Sequence, residues 1–147
     1  INAEGKATGD ARSMGTTLVA LAYYGGQFYT LNCGDSRLYL LHQGELKQLT
    51  VDHSLNTLQG EEKHSNYLTN CIGGGCKESF FDINNITQLL DPNDTILLCS
   101  DGLNDMLPDA MIQSLLVQGF NAELLCQVAE EAGGRDNVSA IVMHLTV

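Results

Sequence analysis

Two dense β-branched and apolar runs, broken by a pair of glycines, constrain this chain more than anything else in it. Thr16 to Tyr24 reads TTLVALAYY, Gly25-Gly26 follows, and Gln27 to Cys33 reads QFYTLNC. Such a pattern predicts an antiparallel hairpin, because glycine supplies the positive φ angles that a tight two-residue turn demands. Gly34-Asp35-Ser36 makes the next turn, and Arg37 to His42 (RLYLLH) reads as a third strand. After Gln43-Gly44, Glu45 to Leu49 reads as a fourth. Four strands joined this closely predict an antiparallel meander.

The stretch from Asp52 to Gly75 has no clear period and predicts a surface segment with a single helical turn. Phe80, Phe81 and Ile83 suggest another short strand, and Asp91-Pro92-Asn93-Asp94 is a turn by composition. Thr95 to Cys99 (TILLC) is continuously apolar, the pattern of a strand covered on both faces. Two helices follow. The first opens at Pro108-Asp109, carries a stripe of Ile112, Leu115 and Leu116, and ends before Gly119. Asn121 can cap the second, whose stripe is Leu124, Leu125, Val128, Ala129 and Ala132 and which Gly133-Gly134 stops. Val138 to Leu145 closes the chain as a strand.

With 147 residues and 44% hydrophobic side chains, the chain can bury one ordinary core, so a single globular α/β domain is expected. Its net charge of −11 repels nucleic-acid backbones and anionic lipid surfaces, and neither is expected as a partner. No apolar run approaches the roughly 20 residues of a membrane-spanning helix. The cysteines Cys33, Cys71, Cys76, Cys99 and Cys126 are odd in number, and three of them have apolar neighbours. That predicts reduced thiols and a reducing, cytoplasmic compartment. Cys71 and Cys76 flank Ile72-Gly73-Gly74-Gly75 with no second pair to complete a zinc site.

Three aspartates share one situation. Asp35 lies between two strands, Asp101 just beyond the TILLC run, and Asp136 just before the last strand, each with a glycine nearby. If the strands beside Asp101 and Asp136 are antiparallel neighbours, the two carboxylates converge. Carboxylates gathered at a sheet edge suit a hard cation such as Mg²⁺ or Mn²⁺. Two such ions, about 3.5–4 Å apart, activate water and neutralise a phosphate oxygen. Ordinary turn aspartates give the same pattern, and spacing alone leaves both readings open. Gly73-Gly74-Gly75-Cys76-Lys77 lacks the spacing of a nucleotide-binding loop. No Gly-x-Ser-x-Gly elbow marks Ser100 as a nucleophile.

Six short motifs occur in order: Met14-Gly15-Thr16-Thr17, Gly34-Asp35-Ser36-Arg37, Leu49-Thr50-Val51-Asp52-His53-Ser54, Leu68-Thr69-Asn70, Leu98-Cys99-Ser100-Asp101-Gly102-Leu103 and Gly134-Arg135-Asp136-Asn137-Val138-Ser139. Together they resemble the metal-dependent, type 2C serine/threonine protein phosphatases across essentially the whole chain. The resemblance implies an α/β/β/α four-layer sandwich of mostly antiparallel sheets with metals at one sheet edge. It implies hydrolysis of phosphoserine and phosphothreonine on protein substrates, opposing a serine/threonine kinase in signalling, by a metal-activated water. The cofactors implied are two Mn²⁺ or Mg²⁺ ions with a looser third. Asp101 and Asp136 match metal-ligand positions, Asp35 matches an auxiliary ligand, and Arg37 is expected to pair with a carboxylate near its turn.

Two family signatures are not found: an arginine followed by an Asn-Glu-Asp segment, and an Asp-Gly-His-Gly turn. The expectation is therefore that residues 1–147 form a partial phosphatase domain lacking its N-terminal part, poorly active alone. A non-catalytic, phosphatase-shaped regulatory module is the alternative. The segment after His53 matches the family's flap, where His53 and His64 are expected to be exposed bystanders.

Overall fold

A computed structural model describes residues 14–55, 67–76 and 78–146. In chain order the strands are β1 (Gly15–Thr16), β2 (Leu18–Tyr24), β3 (Gln27–Cys33), β4 (Arg37–His42), β5 (Glu45–Gln48), β6 (Ile72–Gly73), β7 (Asp82–Asn85), β8 (Thr95–Cys99) and β9 (Ala140–His144). The helices are α1 (Asp101–Asn104), α2 (Asp109–Val117) and α3 (Ala122–Glu131). Every strand pairing among the described residues is antiparallel.

The hairpin of β2 and β3 forms as its sequence predicts, with Tyr24 opposite Gln27. The four-strand meander does not. β3 and β4 lie in different sheets, one ordered β2-β3-β7 and the other β5-β4-β8-β9. The chain leaves the first sheet at Gly34, whose φ is 119° and where a Cβ would run into the Thr17 side chain. Turn composition does not say whether a strand returns to its neighbour or crosses to the facing sheet. Burial decides it. Leu38, Tyr39 and Leu40 are consecutive and all buried, so β4 must be covered on both faces, which an interior position between two layers provides.

Alternation along β4 and β8 then divides the core. Leu38, Leu40, Ile96 and Leu98 face the three-stranded sheet and meet Val19 and Leu21. Tyr39, Leu97 and Cys99 face the helices and meet Leu103, Leu107, Ile112, Leu116, Leu125 and Ala129. Each fully buried aliphatic side chain here contributes roughly 1.5–3 kcal/mol. Sheet, sheet and helix thus stack as layers of an α+β sandwich, with β8 buried along its whole length as its apolar run predicts. The cap at Asn121 is present, its side chain accepting from Leu124 N at 2.9 Å. Among the described residues, no helix is long and apolar enough to cross a membrane.

The segment after Asp52 is tied down at both described ends. Ser54 bridges to Leu68, and β6 pairs with β1 through Gly15 and Gly73. Residues 56–66, His64 among them, lie outside the described set.

Candidate active site

The register of the four-stranded sheet brings three turns to one rim. Arg37 stands opposite Cys99, and Cys99 stands opposite Ala140. Asp35 lies just before Arg37, Asp101 just after Cys99, and Asp136 shortly before Ala140, so all three occupy the same end. The loops of Asp101 and Asp136 are joined directly. Ser100 N donates to Ser139 O at 3.0 Å, and Ser139 N donates to Ser100 Oγ at 3.0 Å. Gly102 allows the approach, because a Cβ there would run into the carbonyl oxygen of Asn137. Each aspartate also accepts from the next backbone N–H: Asp101 from Gly102 at 2.9 Å and Asp136 from Asn137 at 2.7 Å.

The carboxyls feel one another. Burial holds Asp101 above the usual carboxylate range, and the charges of Asp136 and Asp105 push it further the same way. Asp35 is pushed up to about 6, first by burial and then by the charge of Asp101. Burial and like charge thus act in the same direction on these carboxyls, and the donors are hard carboxylate oxygens of the kind Mg²⁺ and Mn²⁺ prefer. The set is incomplete as it stands. Among the described residues, no group of three or more His, Cys, Asp or Glu side chains is arranged to hold a metal ion. What is present fits part of a divalent-cation site.

Asp105 is the acidic residue that the sequence reading passes over. Its N–H donates to Asp101 O at 2.8 Å, so it sits one helical turn beyond Asp101, and its charge raises both Asp101 and Asp35. The signal was the four-residue spacing of two aspartates, which places both on one helix face. It was hidden because the short helix α1 itself was not anticipated.

Behind the rim, Arg37 grips Asp52. Its Nε lies 3.0 Å from both carboxylate oxygens and its Nη2 lies 2.7 Å from Oδ2, while Nη1 donates to Tyr39 Oη at 2.8 Å. Tyr39 in turn donates to Asp109 Oδ1 at 3.0 Å. Burial works against the guanidinium charge, but the bonds to Asp52 and Tyr39 outweigh it, and the net direction of its pKa is upward. A carboxylate partner near the turn is what the sequence led us to expect for Arg37.

His53 differs from expectation. It is 8% exposed and forms part of the scaffold. Gly34 N donates to its Nδ1 at 3.1 Å, which leaves the proton on Nε2 to donate to Asp82 Oδ2 at 2.9 Å. Asn70 Nδ2 lies 2.9 Å from the same Nδ1 and also bonds Phe80 O at 2.8 Å. The motif around His53 and the Leu68-Thr69-Asn70 motif therefore brace the turn that carries Asp35.

The raised Asp35 carboxyl makes a pH-dependent prediction. In acid, below its unfolded value near 3.8, the group is protonated in both states and contributes no penalty. As pH climbs to about 6 the unfolded chain releases the proton first, so stability falls, and above that the loss is complete. Asp35→Asn should therefore raise metal-free stability at neutral pH by on the order of 1–2 kcal/mol, after discounting for solvent screening. At pH 3.5 it should change little. Urea titrations at the two pH values check this.

Comparisons with known proteins agree with the fold. The protein phosphatase 2C family model matches residues 1–140. The serine/threonine phosphatase stp of Listeria innocua is 32% identical over 150 residues, covering 92% of this chain and 58% of that protein. The serine/threonine protein phosphatase PstP of Mycobacterium tuberculosis is 32% identical over 143 residues, covering 90% of this chain and 28% of that protein. Among solved structures, PppA, a key regulatory component of the T6SS in Pseudomonas aeruginosa, superposes with a TM-score of 0.82 at 31% identity, covering 96% of this chain and 61% of that one. The catalytic domain of a PstP in complex with two manganese ions gives a TM-score of 0.74 at 29% identity, covering 98% of this chain and 65% of that one. The chain thus spans 58% of the length of the stp relative. The matched span, the shared architecture and the ordered motifs lead to one conclusion: this chain belongs to the protein phosphatase 2C family.

Proposed function

We propose that the protein carrying this chain hydrolyses phosphoserine and phosphothreonine in phosphorylated proteins, opposing a serine/threonine kinase in a cytoplasmic signalling pathway. The observation that carries the reading is the meeting of Asp35, Asp101 and Asp136 at one rim, with Asp101 and Asp35 both held above the usual carboxylate range. Relatives named as serine/threonine phosphatases support it, as does the manganese-bound PstP structure. Asp101 and Asp136 would hold divalent cations, with Asp35 as an auxiliary ligand to a looser one. Bound there, the cations supply Lewis acidity toward a phosphate oxygen and acidify water for attack on phosphorus.

The work of the chain's own residues is positional. Ser100, Ser139 and Gly102 keep the two ligand loops in contact. His53 and Asn70 brace the Asp35 turn, and Arg37 pairs with Asp52, offsetting part of the charge that Asp52 adds at Asp35. We further propose that residues 1–147 are part of a phosphatase domain whose remaining ligands come from sequence outside them, so that the isolated chain is poorly active.

The test is hydrolysis of an aryl phosphate by the full-length protein with and without Mn²⁺, with Asp136→Asn in parallel. Activity should depend on Mn²⁺ and be lost in the variant. Metal-independent turnover, or turnover that survives Asp136→Asn, sinks the mechanism. A full-length protein with no turnover at all points to a phosphatase-shaped regulatory module instead.

A further inference from the structure

One pair of side chains away from the acidic rim has chemistry that phosphate hydrolysis leaves unused. Cys71 and Cys76 are free thiols whose Sγ atoms stand 3.1 Å apart. The backbone between them brings them together. β6 pairs with β1, Gly74 N donates to Met14 O at 2.8 Å, and Cys76 N donates to Gly73 O at 2.9 Å to close the turn. The two thiols are unlike. Cys71 is 7% exposed, its thiol donates to Gly73 O at 3.3 Å, and burial pushes its pKa up to about 11. Cys76 is less buried than Cys71, standing half-buried. A third thiol, Cys33, lies near enough to Cys76 for their charges to interact, but it is fully buried.

We propose that Cys71 and Cys76 are a peroxide-sensitive pair that closes reversibly into a disulfide, Cys76 reacting first and Cys71 resolving. A reacting thiol with a second thiol held beside it is the arrangement that two-step oxidation uses. In the first step the Cys76 sulfur attacks a peroxide oxygen; the S–O bond forms, the O–O bond breaks, and water leaves from hydrogen peroxide. In the second, the Cys71 sulfur attacks the Cys76 sulfenic acid; the S–S bond forms, the S–O bond breaks, and hydroxide departs as water with the Cys71 proton. Two thiols lose two electrons and two protons, and one peroxide becomes two waters. The sulfurs need only close from 3.1 Å to about 2 Å, a movement of roughly a bond length. Four residues separate the two cysteines, so the resolving thiol is held in place rather than supplied from solution. The bridge would fasten the turn on which β1 rests.

Treating the purified protein with hydrogen peroxide, alkylating what remains and mapping by mass spectrometry tests this. The peptide containing both cysteines should become two hydrogens lighter, two of the five thiols should be lost, and dithiothreitol should restore both. Cys71→Ser should leave Cys76 as a sulfenic acid that dimedone captures, and Cys76→Ser should leave Cys71 unmodified. Three results would overturn the proposal: both thiols still alkylated after peroxide, a bridge that includes Cys33, or loss of Cys71 in the Cys76→Ser protein. The unmutated protein alone decides the first two, whatever the variants do to folding.

Discussion

Replacing Asp101 with asparagine should lower Mn²⁺-dependent aryl phosphate hydrolysis by the full-length protein at least about a hundredfold, since even residues that merely orient metal ligands cost tenfold to a hundredfold when removed. The same substitution should raise the melting temperature of the metal-free protein at neutral pH. Both effects have one source. Asp101 is held above the usual carboxylate range by burial and then by Asp136 and Asp105, so its charge is a liability until a cation arrives. Asparagine keeps the oxygen that accepts from Gly102 N and removes the charge. The loops remain joined through Ser100 and Ser139, so lost activity could not be blamed on lost structure. Adding Mn²⁺ should stabilise the parent protein more than the variant. A variant that loses activity and also melts lower would show that Asp101 acts through packing and would remove the case for ligation.

Arg37→Met should destabilise the chain by about 3 kcal/mol, the low end of what an abandoned buried charge costs. The lower figure follows from the residual exposure of the pair, 17% for Arg37 and 15% for Asp52. Methionine can refill much of the space of the stem but offers no donor to the carboxylate. Among the described residues, Asp52 would retain only Gln48 Nε2, at 2.8 Å, and Tyr39 Oη would lose the guanidinium facing it. The double variant Arg37→Met/Asp52→Asn should recover much of the loss, because the penalty belongs to the stranded anion more than to the missing pair. Chemical denaturation of the single and double variants measures both quantities. Equal stability of the two would mean that Arg37 contributes mainly by packing.

What the sequence revealed and what it concealed follow one division. Local signals were legible: the glycine pair between β2 and β3, the apolar TILLC run, the cap at Asn121, and the aspartates flanking predicted strand ends. Facts that depend on which distant segment lies alongside were not. The turn at Gly34 looks like any tight turn, and only the burial of both faces of β4 shows that it crosses between sheets. His53 read as an exposed loop residue because nothing near it in sequence foretells Gly34, Asn70 and Asp82 as its partners. Cys71 and Cys76 were recognised as too few for zinc, yet their direct contact depends on the β1–β6 ladder. Asp35, Asp101 and Asp136 were legible as a set because each lies close to the end of a strand, and antiparallel pairing of β4, β8 and β9 then fixes where those ends fall.

The place of β8 between β4 and β9 bears on how the molecule assembles. β2 with β3, and β4 with β5, are hairpins whose short connections let them form early. The central ladder joins Arg37 to Cys99, far apart along the chain, and it must wait for that long loop to close. Asp35 can therefore sit in a nearly finished neighbourhood before Asp101 arrives. The mutual repulsion of the carboxylates is imposed late, on a nucleus already formed, so it should hasten unfolding while leaving the rate of folding nearly untouched.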